Sequence, residues 1–321
     1  MMSEVLVDVI IPTRNRTQLL SEAIRSVRGQ TLTDWHLIIV DDCSDDGSVE
    51  ELLRLARNDA RVELVIRSEQ GGPQAARHTG LQRSTAPYIA TLDSDDLWLP
   101  TKLERQMDHF DGEHSPFIGA VLCWHDWIDL EGRLHGKVRK PHGHGLVDPL
   151  ISTNMSTILM RREALEAAGG FLPPTVRPLF TCEGIEFYVR LTQHCGFSVV
   201  QEKLVSCRHH PGERANHHFS DGRDAEEIRY LLELHRTRLA QYPEELGRLQ
   251  AKAAARFLAA GMINEGWREL ASALRIAGPR PALRLIRRYG LFAVKSWTLL
   301  ALARLRERLA FSALPDQKKD A

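Results

Sequence analysis

The sequence predicts an α/β fold: a mostly parallel central sheet flanked by helices, followed by a C-terminal all-helical extension. Three observations carry that expectation. Apolar runs alternate with helix-spaced runs through the first hundred residues. The apolar runs are nearly unbroken, as strands covered on both faces are. From about residue 221 the alternation stops and only helical patterns follow.

Taken in order, VDVIIPT (7–13) is β-branched and continuous and reads as the first strand. RTQLLSEAIRSVRGQ places Leu19, Leu20, Ala23, Ile24 and Val27 on one helical face. WHLIIVDD is a second buried strand, and SVEELLRLARND a helix that Ser48 caps with Glu51 three residues on. VELVIR is a third strand. GPQAARHTGLQRS is a helix opened by a Gly-Gly-Pro turn, its proline in the first turn. YIATL (88–92) is a fourth strand. Right-handed crossovers then give a parallel sheet with helices on both faces.

Residues 101–180 are less regular. TKLERQMDHF is helical, AVLCWHDWID strand-like, and EGRLHGKVRKPHGHG a loop. IEFYVRLTQHCG reads as a helix ending at Gly196, and FSVVQEKLVSCRHH as one or two strands. Three helices follow, in DAEEIRYLLELHRTRLAQY, PEELGRLQAKAAARFLAAGM and NEGWRELASALRIAG. The last two form an antiparallel hairpin around Gly261 that resembles one tetratricopeptide-type unit. One unit is too few for a solenoid, so a helical packing appendage is expected. The predicted division is 1–215, with halves of about 1–100 and 101–215, and a helical region 216–321.

Composition narrows the classes. Lys plus Arg and Asp plus Glu are both 42, so bulk electrostatics give no reason for nucleic-acid binding. The five cysteines are odd in number and form no CxxC pair, which predicts reduced thiols in a cytosolic protein. MMSEVLVDVIIP lacks a basic start and a cleavage site, so it reads as a strand and not a signal peptide. No stretch reaches the ~18 apolar residues of a spanning helix. Between Arg268 and Arg308 stand ten Lys or Arg and two acids, flanking LFAVKSWTLLALARL. That pattern suits a helix lying on an anionic membrane surface, or a packed terminal helix with a solvated basic face.

Four strand ends carry unusual residues: PTRNR, DDCSDDGS, RSEQGGPQAARHTG and DSDD. Each alone is an ordinary turn or cap. Together they converge on the carboxyl edge of the sheet, where such folds bind ligands. In DSDD, Asp93, Asp95 and Asp96 crowd three carboxylates into four residues. Two carboxylates about 5 Å apart repel by roughly 3 kcal/mol at an effective dielectric near 20. An arriving cation would relieve that repulsion.

VDVIIPTRNR, IIVDDCSDDGS, GGPQAARHTGL and YIATLDSDDLWLPTKLERQ resemble the nucleotide-sugar half of family-2 glycosyltransferases of the GT-A fold. GGF (169–171), CEGIEFYVRL (182–191) and CRHHPG (207–212) resemble its acceptor-side landmarks. The resemblance covers roughly residues 5–215 and leaves out the C-terminal hundred. It implies a metal-dependent, inverting transfer of a hexose-type sugar, most simply from a UDP-sugar. The acceptor would be a hydroxyl of a glycan or lipid-linked sugar in cell-surface polysaccharide synthesis. The cysteine usage places such an enzyme in the cytoplasm, and the basic C-terminal stretch would allow a peripheral position at the inner face of the membrane.

The resemblance also implies residue roles. Asp95 matches the direct ligand of Mn²⁺ or Mg²⁺, and Asp93 a contact to ribose or to the metal. Asp96 is left as a supporting residue or the N-cap of the next helix. Pro12 and Thr13 match the base-contacting turn. Asp42 matches the residue that bonds the base, with Asp41 ordering the loop. Arg77 lies near the nucleotide or is a helix-surface arginine. His210, rather than His209, matches a position near the pyrophosphate and metal. HGHG at 142–145 is expected to be a loop over the acceptor site.

An inverting transfer needs a base for the acceptor hydroxyl. The family's Glu-Asp pair departs here to Glu183-Gly184. The base is then Glu183, or Glu186, or it is lost. Glu186 stands four residues before Arg190, so a surface ion pair accounts for it, and Glu183 is favoured. The rival from another class is a nucleotide-sugar-binding protein without turnover. A sugar nucleotidyltransferase is disfavoured because IIPTRNRTQLL has no glycine after the first strand.

Overall fold

The computed structural model describes residues 5–110, 117–135, 138, 154–172, 183–209, 223–240 and 243–277. The chain divides into two compact units, Met1–Arg214 and Ala215–Ala321.

The first unit opens with the expected alternation. Its elements are β1 Val7–Thr13, α1 Thr17–Arg28, β2 Trp35–Asp41, α2 Ser48–Arg57, β3 Val62–Ile66, α3 Gly72–Arg83 and β4 Tyr88–Thr91. β1 pairs in parallel with both β2 and β4, and β2 in parallel with β3. Every residue of β1 is buried, as the unbroken run requires. The one charge inside it, Asp8, accepts from the backbone N–H groups of Thr85 and Ala86, each at 2.7 Å, and pairs with His36 Nδ1 at 3.0 Å. α1 covers the sheet with Leu20, Ala23, Ile24 and Val27, the predicted face. α3 lies against β1 and β2 at Gly80, where an added Cβ would stand 2.6 Å from Ile10 Cγ2. Of the expected cap on α2, the side chains of Ser48 and Glu51 lie outside the described residues.

The second half of this unit adds β5 Leu97–Trp98, α4 Lys102–Met107, β6 Ile118–Ile128, β7 Leu159–Arg161, α5 Arg162–Ala167, α6 Glu183–Leu191 and β8 Gly196–Arg208. A 3-10 turn, Met155–Thr157, precedes β7. The sheet has eight strands in the order β3-β2-β1-β4-β7-β6-β8-β5. Its parallel part, β3 to β4, continues into a mixed part. β7 runs antiparallel to both β4 and β6, β8 parallel to β6, and β5 antiparallel to β8. β7 and β5 carry no period in the sequence and were not expected. The helix expected to reach Gly196 stops at Leu191, and of the one or two strands expected after it, Gly196–Arg208 forms one long strand. Cys43, Cys123, Cys195 and Cys207 are free thiols.

The second unit comprises α7 Arg223–Leu234, α8 Arg236–Leu239, α9 Pro243–Ala259 and α10 Ile263–Ala277. The single helix expected over 224–242 is broken at His235. α9 and α10 turn at Gly261, whose φ of 77° suits glycine. Gly266 lets them approach, since an added Cβ would lie 2.5 Å from Leu258 Cγ. No helix among the described residues is long and apolar enough to cross a membrane. The loop 142–145 and most of the basic stretch beyond Ala277 lie outside the described residues.

Candidate active site

The carboxyl ends of β1, β2, β3 and β4 bring the four unusual loops together. The first two are tied to each other. Asn15 Nδ2 donates to Asp45 at 2.7 Å, and Asn15 N to Ser44 Oγ at 2.9 Å. Both turns use left-handed backbone, at Asn15 (φ 52°) and Cys43 (φ 62°). Asp41 orders the second loop by accepting from Ser44 N and Oγ, at 3.0 and 2.5 Å. Thr13 is buried beside it, and its carbonyl accepts from Asp42 N at 2.9 Å.

Asp42 is also buried, and its carboxylate is engaged within the protein. It accepts from Arg67 Nε at 2.9 Å, from Gly71 N at 3.0 Å and from Gly72 N at 2.7 Å. It therefore shapes the Gly-Gly-Pro turn that opens α3. Arg67, at the end of β3, adds bonds to the Ala75 carbonyl and Thr79 Oγ1.

Arg77 is no helix-surface arginine. It is 3% exposed and spans two carboxylates, donating through Nη2 to Asp93 Oδ1 at 2.5 Å and through Nη1 to Glu183 Oε1. The bond to Glu183 joins residues 106 apart in sequence. Burial opposes the Arg77 charge, but Glu183 and Asp93 more than offset it and hold the pKa above its usual value. Burial pushes the Glu183 carboxyl up to about 7; Arg77 pulls it down, while Asp93 and Glu186 add to the rise.

Glu186 does pair with Arg190, at 2.7 and 3.0 Å, but the pair is not a surface one. Glu186 is fully buried, and Arg190 also donates to the carbonyls of Ala168 and Gly170 at 2.5 and 2.8 Å. This pair ties α6 to the Gly169-Gly170-Phe171 corner. Glu186 is thereby committed to packing.

The three aspartates separate cleanly. Asp93 is part-exposed and held by Arg77. Asp95 meets Arg16 Nη1 at 2.5 Å. Asp96 points into the protein, where Oδ2 accepts from Ser156 Oγ at 2.6 Å and Asn154 Nδ2 at 3.1 Å. Its Oδ1 accepts from Arg208 N at 2.9 Å. Burial, then Asp95 and Asp93, hold Asp96 well above the usual carboxylate range. It does not cap the next helix; Thr101 occupies that position.

Two supports for this loop were missed. Ser156 Oγ also accepts from Asp93 N at 3.0 Å, so one hydroxyl holds both ends of the triplet. The Arg208 guanidinium donates to the Asp95 carbonyl at 3.0 Å, the Leu130 carbonyl at 2.6 Å and Glu22 at 2.7 Å. Arg208 lies in CRHHPG, where nothing local marks it as a support for a loop some 110 residues earlier. His209 stacks on His135, with ring centroids 4.9 Å apart. His210 lies outside the described residues.

No three His, Cys, Asp or Glu side chains form a ready-made metal cage among the described residues. The donor set fits a cation that arrives with a diphosphate, because Mg²⁺ and Mn²⁺ then take one or two protein carboxylates and fill the rest with phosphate and water. Asp93 and Asp95 offer such oxygens, and two guanidinium groups now sit against them.

The sequence model of glycosyl transferase family 2 matches residues 8–168, half of the 321-residue chain. The chain belongs to glycosyl transferase family 2. Among curated family members it is 34% identical over 161 residues to TuaG of Bacillus subtilis, assigned to teichuronic acid biosynthesis. The match covers 49% of this chain and 63% of TuaG. It is 37% identical over 106 residues to the UDP-Glc:alpha-D-GlcNAc-diphosphoundecaprenol beta-1,3-glucosyltransferase WfgD of Escherichia coli, covering 33% of this chain and 41% of WfgD. The chain thus spans about half the length of these relatives. The family fold is shared with S. aureus TarS in complex with UDP-GlcNAc, at a TM-score of 0.63 and 16% identity over 91% of this chain and 88% of that one. It is shared too with the mannosyltransferase PcManGT from Pyrobaculum calidifontis in complex with GDP-Man and Mn²⁺, at 0.56 and 18% over 99% and 89%.

Proposed function

We propose that this protein moves a hexose-type sugar from a nucleotide-sugar, a UDP-sugar in the simplest case, to a hydroxyl of a glycan or lipid-linked acceptor. The transfer is inverting and depends on a divalent metal. The product serves cell-surface polysaccharide synthesis, and the enzyme works in the cytoplasm at the inner face of the membrane. Family membership supports the reaction class, and the lipid-linked substrate in the name of WfgD supports the acceptor class.

The observation that carries the reading is the Asp93–Arg77–Glu183 bridge. It sets one buried carboxylate, with a pKa near 7, beside the edge where the nucleotide loops meet. A base matched to neutral pH is what removal of a hydroxyl proton requires. Asp95, Asp93 and His210 are the proposed metal-side residues; a divalent ion held there would neutralise charge on the leaving diphosphate. Pro12, Thr13 and Asp42 form the proposed base pocket, Asp42 acting through the turn it shapes. Arg77 holds Glu183 and Asp93 in place and meets the donor.

The test is transfer from a panel of nucleotide-sugars, first screened by thermal shift with Mn²⁺, since the right donor stabilises the fold. No shift with any donor would sink the reading. The second reading, donor binding without turnover, is favoured by Gly184. Calorimetric binding of UDP with Mn²⁺, but no transfer or donor hydrolysis, would select it.

A further inference from the structure

Arg16 follows the turn after β1 and stands directly before α1. Its guanidinium meets Asp95 Oδ2 through Nη1 at 2.5 Å, across 79 residues of sequence. Asp93 is held differently. Its partner Arg77 has a side chain only 3% exposed, and Glu183 binds the same guanidinium. The Arg16 side chain is 36% exposed, and among the described residues it donates to Asp95 alone. Its backbone is fixed: the Arg16 carbonyl accepts from Leu20 N at 3.0 Å, and neighbouring Asn15 is tied to Ser44 and Asp45. A part-exposed arginine with one ion pair gives it up at little cost, whereas an arginine buried between two carboxylates does not. One aspartate is therefore clamped, and the other is held by a side chain able to swing about a fixed stem.

We propose that Arg16 couples the divalent cation to the nucleotide: it holds Asp95 until a diphosphate draws its guanidinium away and leaves the carboxylate to the cation. The inference rests on the proposed role of Asp95 at the metal and adds a residue that controls it. A divalent cation on Asp95 Oδ2 would stand within a few ångströms of the Arg16 charge, and the two repel. Alone, a cation gains Asp95 only against Arg16. A diphosphate changes both sides of that competition. Its oxygens suit the guanidinium fork, which bonds them in pairs. It also offers the oxygens that complete the coordination of Mg²⁺ or Mn²⁺. Each ligand must then raise the affinity of the other by the same factor. Arg77 cannot take this part, because its charge is committed to Glu183 as well as Asp93.

The test follows free Mn²⁺ by electron paramagnetic resonance with the full chain, with and without saturating UDP and against a protein-free UDP blank. UDP is expected to tighten Mn²⁺ binding to the parent on the order of 50-fold. Arg16→Gln is expected to bind Mn²⁺ alone about tenfold more tightly than the parent, so that UDP adds only about fivefold. Arg16→Ala is expected to match it, and Arg16→Lys, which keeps the charge, to restore most of the coupling. Circular dichroism, unchanged in the variants, reports an intact fold. A merely structural role for Arg16 would instead loosen Mn²⁺ binding both with and without UDP. That result overturns the proposal, as does a coupling factor like the parent's in Arg16→Gln and Arg16→Ala. The reading of the site is judged separately, on the parent: no uptake of Mn²⁺ with either UDP or GDP fails that reading and takes the inference with it.

Discussion

Arg77 and Glu183 join α3 to α6 through a buried guanidinium–carboxylate bond, and the same guanidinium reaches Asp93. The pair holds α6 to the loop that carries the aspartates. Removing one partner of such a pair leaves the other buried and unmatched, at a cost of about 3–5 kcal/mol. Arg77→Met is therefore expected to lower stability by roughly that amount in urea titrations. Glu183→Gln keeps an oxygen for Arg77, so it is expected to fold, to bind donor, and to lose transfer by about 10²–10⁴-fold. Turnover like the parent's in that variant would remove Glu183 as the base.

The Glu183 carboxyl also sets a pH dependence. Its folded value, about 7, lies above the ordinary 4.5. A raised carboxyl binds its proton more tightly in the folded state, so its contribution to stability is complete below the ordinary value. That contribution is lost as pH rises through about 7, and at most about 3 kcal/mol is at stake. Donor-free protein is thus expected to lose stability across this window, and Glu183→Gln to flatten the slope. Transfer runs in the opposite sense: a deprotonated base makes the rate rise with pH and level off above about 7. A rate that falls across the window would contradict the assignment.

Asp95 and Asp96 are neighbours with opposite expectations. Asp95 is 13% exposed, but Asp95→Ala leaves its partner Arg16 in reach of water, so stability should fall by no more than about 1 kcal/mol. Its metal-dependent thermal shift with nucleotide should vanish, as it should for the parent protein in a chelator. Asp96→Ala strands the hydrogen-bond donors of Ser156, Asn154 and Arg208 in the interior and should cost about 2–3 kcal/mol. Denaturation curves with and without UDP and Mn²⁺ separate the two; full metal-dependent binding by Asp95→Ala would refute its role.

Gly80 tests the packing beneath the site. A methyl group there meets Ile10, and β1 is fixed by neighbours on both sides. Gly80→Ala is expected to destabilise by about 1–3 kcal/mol, although alanine favours helices. A more stable Gly80→Ala protein would mean that α3 can move away from the sheet.

The parallel half of the sheet was legible because long buried strands and amphipathic helices repeat with clear periods. β7 has only Leu159–Arg161, and β5 only Leu97–Trp98, too short to carry a period. At the site, the aspartates declared themselves by crowding, whereas what holds them did not. Ser156 looks like any loop serine until β7 brings it under Asp93 and Asp96. The sequence leaves Arg77 either near the nucleotide or on a helix surface, because a partner 106 residues away leaves no local trace. The i, i+4 ion pair of Glu186 and Arg190 looks the same in sequence whether solvent covers it or protein does.

Because β7 runs against its neighbours, its beginning lies at the edge where β4 ends, and this is how Ser156 comes to support a loop some sixty residues earlier. Synthesis on the ribosome then has a built-in delay. Asp96 emerges long before the side chains and backbone that satisfy it, at 154, 156 and 208. Until Arg208 has left the exit tunnel these partners are incomplete, and a nascent chain stopped short of it is expected not to hold nucleotide.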